Sequence, residues 1–374
     1  MKKKITIVTW IGCGNFGTSL QAFALHKKLE QLGYIVRILD GNTTGKTIKH
    51  YIKYILSKLG IYNIRTNKIL KNESLSISKK KFKKFVSDNF NLIDNLNIPS
   101  QLSRVVYDTD VFVTGSDQIW NTRNFFDSFY FLDFAEETKR ISYASSIGVE
   151  DFPTKDKPEI KRMLEKFAHL SLREETGVKA VSSLLRRNDV VQVLDPTLLL
   201  DKEEWIHIIE KAKIEIELPK KYIFCYLLGR NDWYIEQLQK VKDATGIFDV
   251  IIVPAIENPN FVIENAKIYD AAGPLEFVKL IWNSVFVCTD SFHATALSIN
   301  MGKNFVEFMR FKDSDIFSQN SRIYDLLGRY SLMYKIYSNE HTDWMNEIPY
   351  NEVNNLLLRD RSMSLNFLVE SIEN

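Results

Sequence analysis

ITIVTWIGCGNFGTSLQAFALHKKLEQLGYIVRILDG, residues 5–41, decides the fold. A short β-branched run (ITIVTW) is followed by a helix-periodic segment from Thr18 to about Leu32 and a second strand-like run (YIVRILDG). Gly33 stands where a helix C-terminal glycine belongs. Strand, crossover helix and strand in this order begin a parallel sheet.

The same grammar continues outward. Short, β-branched runs bounded by turn residues recur at DVFVTG (110–115), RISYASSIG (140–148), HLSLRE (169–174) and VVQVLDP (190–196), and each reads as a buried strand. LDPTLLLDKEEWIHIIEKAK then reads as a connector into a helix, which puts a lobe boundary near 190–215. Beyond it a second α/β set appears: YIFCYLLG (222–229), DVIIVPA (249–255), a helix over Pro274 to Asn283, VFVCTD (285–290), a helix over 293–301, and NFVEFM (304–309). The expected organisation is an N-terminal lobe over 1–200 carrying a basic insertion at 46–85, a C-terminal lobe over 201–345, and a helix over 346–374 that packs back on both. Two such lobes place ligand sites in the cleft outside the carboxyl ends of their strands.

Composition agrees with a two-lobed globular protein. At 374 residues the chain exceeds one ordinary core, and 45% apolar with 26% charged residues excludes disorder. Cys13, Cys225 and Cys288 are far apart and form no CxxC pair, which argues against a zinc site or a disulfide framework and suits a reducing, cytoplasmic compartment. The apolar run after MKKK is too short for a secretory signal and reads as a strand; no stretch of 18 apolar residues spans a membrane. Net charge is only +2, yet residues 46–85 hold twelve Lys/Arg against one acid, Glu73. Interleaved tyrosines (Tyr51, Tyr54, Tyr62) and isoleucines make this segment either a cationic surface for an anionic membrane or a set of solvated helices packed on the lobe. Nucleic acid is the poorer explanation, because the rest of the chain is acidic and carries no recognition motif.

Four motifs carry candidate chemistry. GCGNFG (12–17) has the G-x-G-x-x-G spacing between a strand and a helix, with Asp40 where a ribose-binding acid would follow. Three glycines in six residues also suit any tight turn lining a cleft, and there Asn15, Gly17 and the helix N-terminus face whatever binds. GSDQIWN (115–121) presents Gly115, Ser116, Asp117, Gln118 and Asn121 at a strand end; a helix cap needs one such residue and not four, whereas Trp120 reads as packing. In SLREETG (171–177), Arg173 ends a strand and offers a planar fork to an anion, the bland alternative being an ion pair with Glu174 or Glu175. TDSFHATALSINMGK (289–303) puts Ser291 and His293 at the first turn of a helix that leaves a strand, a position suited to holding an anion and moving a proton. His26, His50, His169, His207 and His341 read as structural. Arg310 and Lys312 in MRFKDSD, and Arg322 beyond, are candidate cations across the cleft, one of them at least belonging to a solvated loop.

These motifs in this order, with YASSIG, LDPTLLL and the opening NFGTSLQAFALHKKL, resemble the polysaccharide pyruvyl transferases over roughly residues 5–330. The resemblance implies an α/β fold of two Rossmann-like lobes with parallel sheets facing across a GT-B-like cleft. It implies transfer of the enolpyruvyl group of phosphoenolpyruvate to two hydroxyls of a sugar, as a cyclic ketal. Phosphoenolpyruvate is then a co-substrate, no cofactor or metal is implied, and the acceptor is a surface polysaccharide sugar or its lipid-linked precursor at the inner membrane face. Catalysis falls to His293, Asp117 and Arg173. Asn15, Gly17, Gly115, Ser116, Gln118, Asn121, Ser291, Arg310 and Lys312 are expected to bind substrate. Some relatives have Arg-Leu-His where this chain has Ser291, Phe292 and His293, so Phe292 replaces an arginine-bearing motif. The alternatives are a nucleotide-sugar glycosyltransferase of the same fold, an NAD-dependent oxidoreductase, and a non-enzymatic carbohydrate-binding module.

Overall fold

β1 (Lys4–Thr9) lies at the centre of a five-stranded parallel sheet. It pairs with β2 (Ile35–Asp40) on one side and β4 (Val111–Thr114) on the other, and β3 (Leu92–Ile93) and β5 (Lys139–Ser142) close the two edges. The register sets Ile7 beside Ile38 and Val113, all three fully buried. The computed structural model describes residues 2–11, 14–40, 73–93, 99–123, 126–135, 138–256, 258–315 and 317–374. The crossover helix Phe16–Gln31 starts at Asn15, whose side chain caps Thr18 N–H. It ends as expected at Gly33, with φ +93 and its N–H on the Glu30 carbonyl.

The strand expected over 140–148 is shorter in the structure. After β5 Tyr143 N–H still donates to the Thr114 carbonyl, and the chain turns at Ala144, φ +51, with serine hydroxyls joining it to the next strand. Ser142 Oγ and Ser171 Oγ each donate to the other's carbonyl, at 3.0 and 2.8 Å, and Ser171 N–H donates to Ser142 Oγ. The runs 169–174 and 190–196 reduce to β6 (Ser171–Leu172) and β7 (Val191–Gln192), a two-stranded parallel pair bridged to the first sheet through Ile141–His169 and Ser145–Leu172. VVQVLDP thus ends in a strand whose exit is Asp195, and the following Pro196–Leu199 turn of helix is capped by that aspartate.

The second sheet repeats the plan of the first. β8 (Ile223–Tyr226) is central, β9 (Val250–Ile252) and β10 (Ala266–Ile268) lie on one side, and β11 (Phe286–Thr289) and β12 (Asn304–Glu307) on the other, all parallel. β10 has no counterpart in the sequence reading, since an exposed three-residue edge strand shows no apolar alternation. The helices Pro274–Asn283 and Phe292–Asn300 fall within a residue of expectation.

One apolar core runs through both halves. Phe16, at the start of the first crossover helix, stacks on Phe277 at 4.5 Å and 12°, with Tyr226 and Phe82 against it. Burying each such ring stabilises by roughly 2 kcal/mol. Phe82 and Phe85 belong to the helix Glu73–Asn89, so this part of the basic segment packs on the core while Lys79, Lys80, Lys83 and Lys84 face outward. Residues 46–72 of that segment lie outside the described residues. The final helix Tyr350–Glu373 starts on the second half, where Tyr350 OH donates to the Lys303 carbonyl, and ends on the first, where Lys3 Nζ donates to the Ile372 carbonyl. No described helix is long and apolar enough to cross a membrane.

Candidate active site

The exits of β4, β6, β7 and β11 converge, and their side chains build one buried charged cluster. At the β4 exit Gly115 has φ +121, and a Cβ there would lie 2.0 Å from the Tyr143 carbonyl, so no other residue fits. Ser116 N–H donates to Gln21 Oε1, and Ser116 Oγ donates to the Ala144 carbonyl at 2.8 Å. Asp117 Oδ2 accepts from Thr18 Oγ1 at 2.7 Å, tying the motif to the first crossover helix. Burial would raise the Asp117 pKa, but His293, Arg173 and the two hydrogen bonds outweigh it and hold the carboxylate below its usual range. Gln118 reaches across to Gln319 Oε1 at 3.0 Å and accepts from Asn121 Nδ2 at 2.8 Å. Trp120 is fully buried and stacks on Phe131, as its packing reading requires.

At the β6 exit, Arg173 is enclosed. Its Nε donates to Glu174 Oε1 at 2.7 Å, Nη1 donates to Asp195 Oδ2 at 2.9 Å, and Asp117 Oδ1 lies 3.9 Å from Nη1. The Phe292 ring covers its plane at 4.0 Å. The bland expectation of a Glu174 pair is thus met, but inside the molecule, and Arg173 has only Nη2 buried without a hydrogen-bond partner among the described residues.

At the β11 exit Ser291 caps the helix Phe292–Asn300. His293 is 7% exposed, with Nε2 3.4 Å from Asp195 Oδ2 and Nδ1 against the Cα of Gly17. A Cβ on Gly17 would sit 2.1 Å from His293 Nδ1. The third glycine of GCGNFG is therefore the floor on which the histidine lies. Gly12 and Cys13 fall outside the described residues, as does the Asp40 side chain. Asn15 faces its own helix as the N-cap.

Arg322 is buried and donates to the Gln319 carbonyl and Gln319 Oε1. Burial, then Arg310 and Arg173, push its pKa down to about 9 against the pull of Glu174 and Asp117. A desolvated arginine paired, among the described residues, only to neutral acceptors and near two more arginines is an arrangement that a bound anion would complete. Arg310 is half-buried and lies against Gly229 and the Phe311 ring, whereas Lys312 is exposed in its loop. Of the other histidines, His26 packs on Phe90, His207 and His341 are exposed beside acids, and His169 lies at the bridge to β5; none joins the cluster, and His50 is outside the described residues.

The structure thus brings together Gly17, Gly115, Ser116, Asp117, Arg173 and His293, with Gln118 and Arg322 meeting on Gln319 and Asn121 bonded to Gln118. Asp195 was missed in the sequence because LDPT reads as a connector. Its signal was the one used elsewhere, an acid at the end of a β-branched run. No group of three His, Cys, Asp or Glu side chains among the described residues has the arrangement of a metal site.

The fold and site define a two-lobed, doubly wound α/β protein with a buried ionic centre between the exits of its strands. A family model described as polysaccharide pyruvyl transferase matches residues 15–309, which takes in every one of these exits. The chain belongs to the polysaccharide pyruvyl transferase family, and as such it is a transferase. No curated protein matches it in sequence. Among solved structures it is similar to the S. aureus MnaA–UDP co-structure, at 13% identity and TM-score 0.48, covering 95% of this chain and 87% of that one. It is also similar to a UDP-GlcNAc 2-epimerase from Neisseria meningitidis bound to UDP-GlcNAc (13%, TM-score 0.46, covering 98% and 100%). A glycosyltransferase from Rickettsia africae follows at 14%, TM-score 0.43, covering 98% and 99%.

Proposed function

We propose that this protein moves the enolpyruvyl group of phosphoenolpyruvate onto a sugar of a bacterial surface polysaccharide or its lipid-linked precursor, forming a pyruvate ketal. The observation that carries this reading is buried Arg322, which among the described residues hydrogen-bonds to Gln319 alone and lines one cavity with Arg173 and Phe292, at the helix start that carries His293. A carboxylate and a phosphate on one small donor need about three positive charges or equivalent N–H donors. Arg322, the N-terminus at Ser291 and His293 are taken as that set, with Arg310 and Lys312 closing on the donor from the loop after β12.

The first acceptor hydroxyl attacks C2 and loses its proton as C3 gains one; the C2–O bond to phosphate breaks, and the second hydroxyl closes on C2, its proton leaving with the phosphate. His293 is assigned to proton transfer or to the leaving phosphate. Asp117, held below the usual carboxylate range, is a weak base, so hydrogen bonding to the acceptor hydroxyl suits it better than abstraction. Gln118 is assigned to the acceptor, while Asn15, Gly17, Gly115, Ser116 and Asn121, engaged with their own neighbours, hold the surrounding backbone and His293 in place. We place the reaction in the cytoplasm, at the inner membrane face if the acceptor is lipid-linked.

Incubation with phosphoenolpyruvate and candidate glycans should release phosphate only with a competent acceptor, and that glycan should gain the pyruvylidene mass. A thermal-shift series with phosphoenolpyruvate, UDP and NAD separates the readings, because the true ligand raises the midpoint at saturation. A response to UDP or NAD alone would replace this proposal with a glycosyltransferase or an oxidoreductase. Flotation with anionic liposomes tests the membrane contact, and absence of binding at low salt removes it.

A further inference from the structure

The three motifs of the cluster meet on one atom that belongs to none of them. Asp195 Oδ2 lies 2.9 Å from Arg173 Nη1, 3.4 Å from His293 Nε2 and 3.4 Å from Ser116 Oγ. The side chain is completely buried. Its other oxygen is fixed from behind, since Oδ1 accepts from Thr197 N–H at 2.9 Å and from Thr197 Oγ1 at 2.7 Å. The short helix that follows is held in turn by Asn300 Nδ2 and Trp205 Nε1 on the Thr197 carbonyl, and by Arg361 Nε on the Leu198 carbonyl. A carboxylate so placed has little freedom, and whatever it contacts inherits that rigidity.

We propose that Asp195 is the positioning residue of His293, fixing the imidazole between its carboxylate and the bare Cα of Gly17 and supplying the counter-charge when the ring takes up a proton. A ring on a helix's first turn has two torsions to settle. Here one edge is stopped by Gly17, where even a methyl group would overlap Nδ1, and the other faces a carboxylate that cannot turn away. The charges facing His293 are Asp195 on the β7 exit, Asp117 on the β4 exit and Arg173 on the β6 exit. Two carboxylates and one guanidinium leave a negative surplus, and Asp195 is the nearer carboxylate by the contact it makes. Burial opposes ionisation of Asp195, but His293, Arg173 and Thr197 outweigh it and hold the group well below the usual range, so it stays a carboxylate throughout the working pH.

The inference rests on the proposed role of His293 in proton transfer, and two readouts keep the two apart. The first is the ring itself: with histidine labelled by ¹⁵N, and the His293 signal assigned by its loss in His293→Gln, the pH midpoint of that signal is compared in the native protein and in Asp195→Asn. Loss of a buried carboxylate in contact should lower the midpoint by about one pH unit or more. The second is turnover of phosphoenolpyruvate with a competent acceptor. There kcat should fall by about 10²-fold with KM little changed, and the pH limb of kcat should move to lower pH with the ring midpoint. A uniform loss at all pH values with an unmoved ring midpoint would overturn the proposal and leave Asp195 structural. If the native protein turns over no phosphoenolpyruvate, the functional reading fails while the ring midpoint still decides the pair. Should Asp195→Asn not fold, Thr197→Val removes only one hydrogen bond to Oδ1. It should move the midpoint in the same direction by a smaller amount, and no movement there counts against the proposal equally.

Discussion

The two lobes solve the same problem at equivalent places and use it differently. β4 and β11 hold the same position in their sheets, next to the central strand, and leave through Thr-Gly-Ser-Asp (114–117) and Thr-Asp-Ser-Phe-His (289–293). Each exit carries a buried aspartate. Asp117 sits among His293, Arg173 and Thr18 and is pulled below the usual carboxylate range. Asp290 accepts from the N–H groups of Leu228 and Gly229 and from Tyr234 OH, and burial pushes its pKa up despite Arg310 and those three donors. The first exit keeps a charge ready beside other charges; the second uses its acid to clamp two loops so that the next residues can hold a histidine. Residue type alone does not distinguish the two aspartates. The sign of their electrostatic surroundings does.

The largest effect should come from the histidine that the second exit presents. His293→Gln should lower kcat by about 10³-fold without loss of fold, measured as phosphate release from phosphoenolpyruvate with acceptor and by circular dichroism. Near-native turnover would remove His293 from the chemistry and break the contrast between a working exit and a clamping one.

Next is the contact by which the first lobe locates that histidine. Gly17→Ala introduces a methyl carbon 2.1 Å from His293 Nδ1, so the ring or the helix start must shift. A displacement of this size should cost about 10²-fold in kcat with only a modest change in Tm. Native kinetics in this variant would show that the ring is not held where the two lobes place it.

The pair of aspartates gives a smaller and more diagnostic contrast. Asp290→Asn turns an acceptor toward two N–H groups into a partial donor, and about 1–3 kcal/mol of stability should be lost while kcat stays within a few-fold. Asp117→Asn keeps most of the hydrogen bonds to Thr18 and Gln118 but deletes a charge facing Arg173 and His293. Turnover should fall more than tenfold with the smaller loss of Tm. If both variants behave alike, the two exits are not functionally distinct.

Much of this was legible beforehand, and the gaps have physical reasons. The β-α-β opening, the Gly33 helix end and the helices at 274 and 292 follow from periodicity and turn chemistry that act within a few residues. The cluster residues were legible as polar groups at strand ends. Their connections were not, because Asp195 meets Arg173, Ser116 and His293 only after four strand exits converge, and VVQVLDP announces a strand and a turn, not a partner. Arg173 shows the same limit. As a sequence feature it is an anion fork, but the fold gives it Glu174, Asp195 and the Phe292 ring. Phe292 therefore covers a cation here, and Arg322, among the described residues, is buried without a carboxylate hydrogen bond.

The smallest effect is a difference in slope, and it isolates the sign of the two environments. A carboxyl with a depressed folded pKa contributes stability that is present above its unfolded pKa, near 3.9, and is lost as pH falls through the folded value. Asp117 is such a group, so the Tm of the native protein minus that of Asp117→Asn should grow as pH rises toward 4. A carboxyl with a raised folded pKa contributes in the opposite sense: its stabilisation is full below the unfolded pKa and is lost as pH rises through the folded one. For Asp290 the same difference, native minus Asp290→Asn, should therefore shrink as pH rises from about 4 toward neutrality. Thermal unfolding of the three proteins between about pH 2 and pH 7 reads both slopes in one buffer series. Slopes of the same sign would mean that the two buried aspartates share one kind of surroundings, and the division of labour between the lobes would then have to rest on His293 alone.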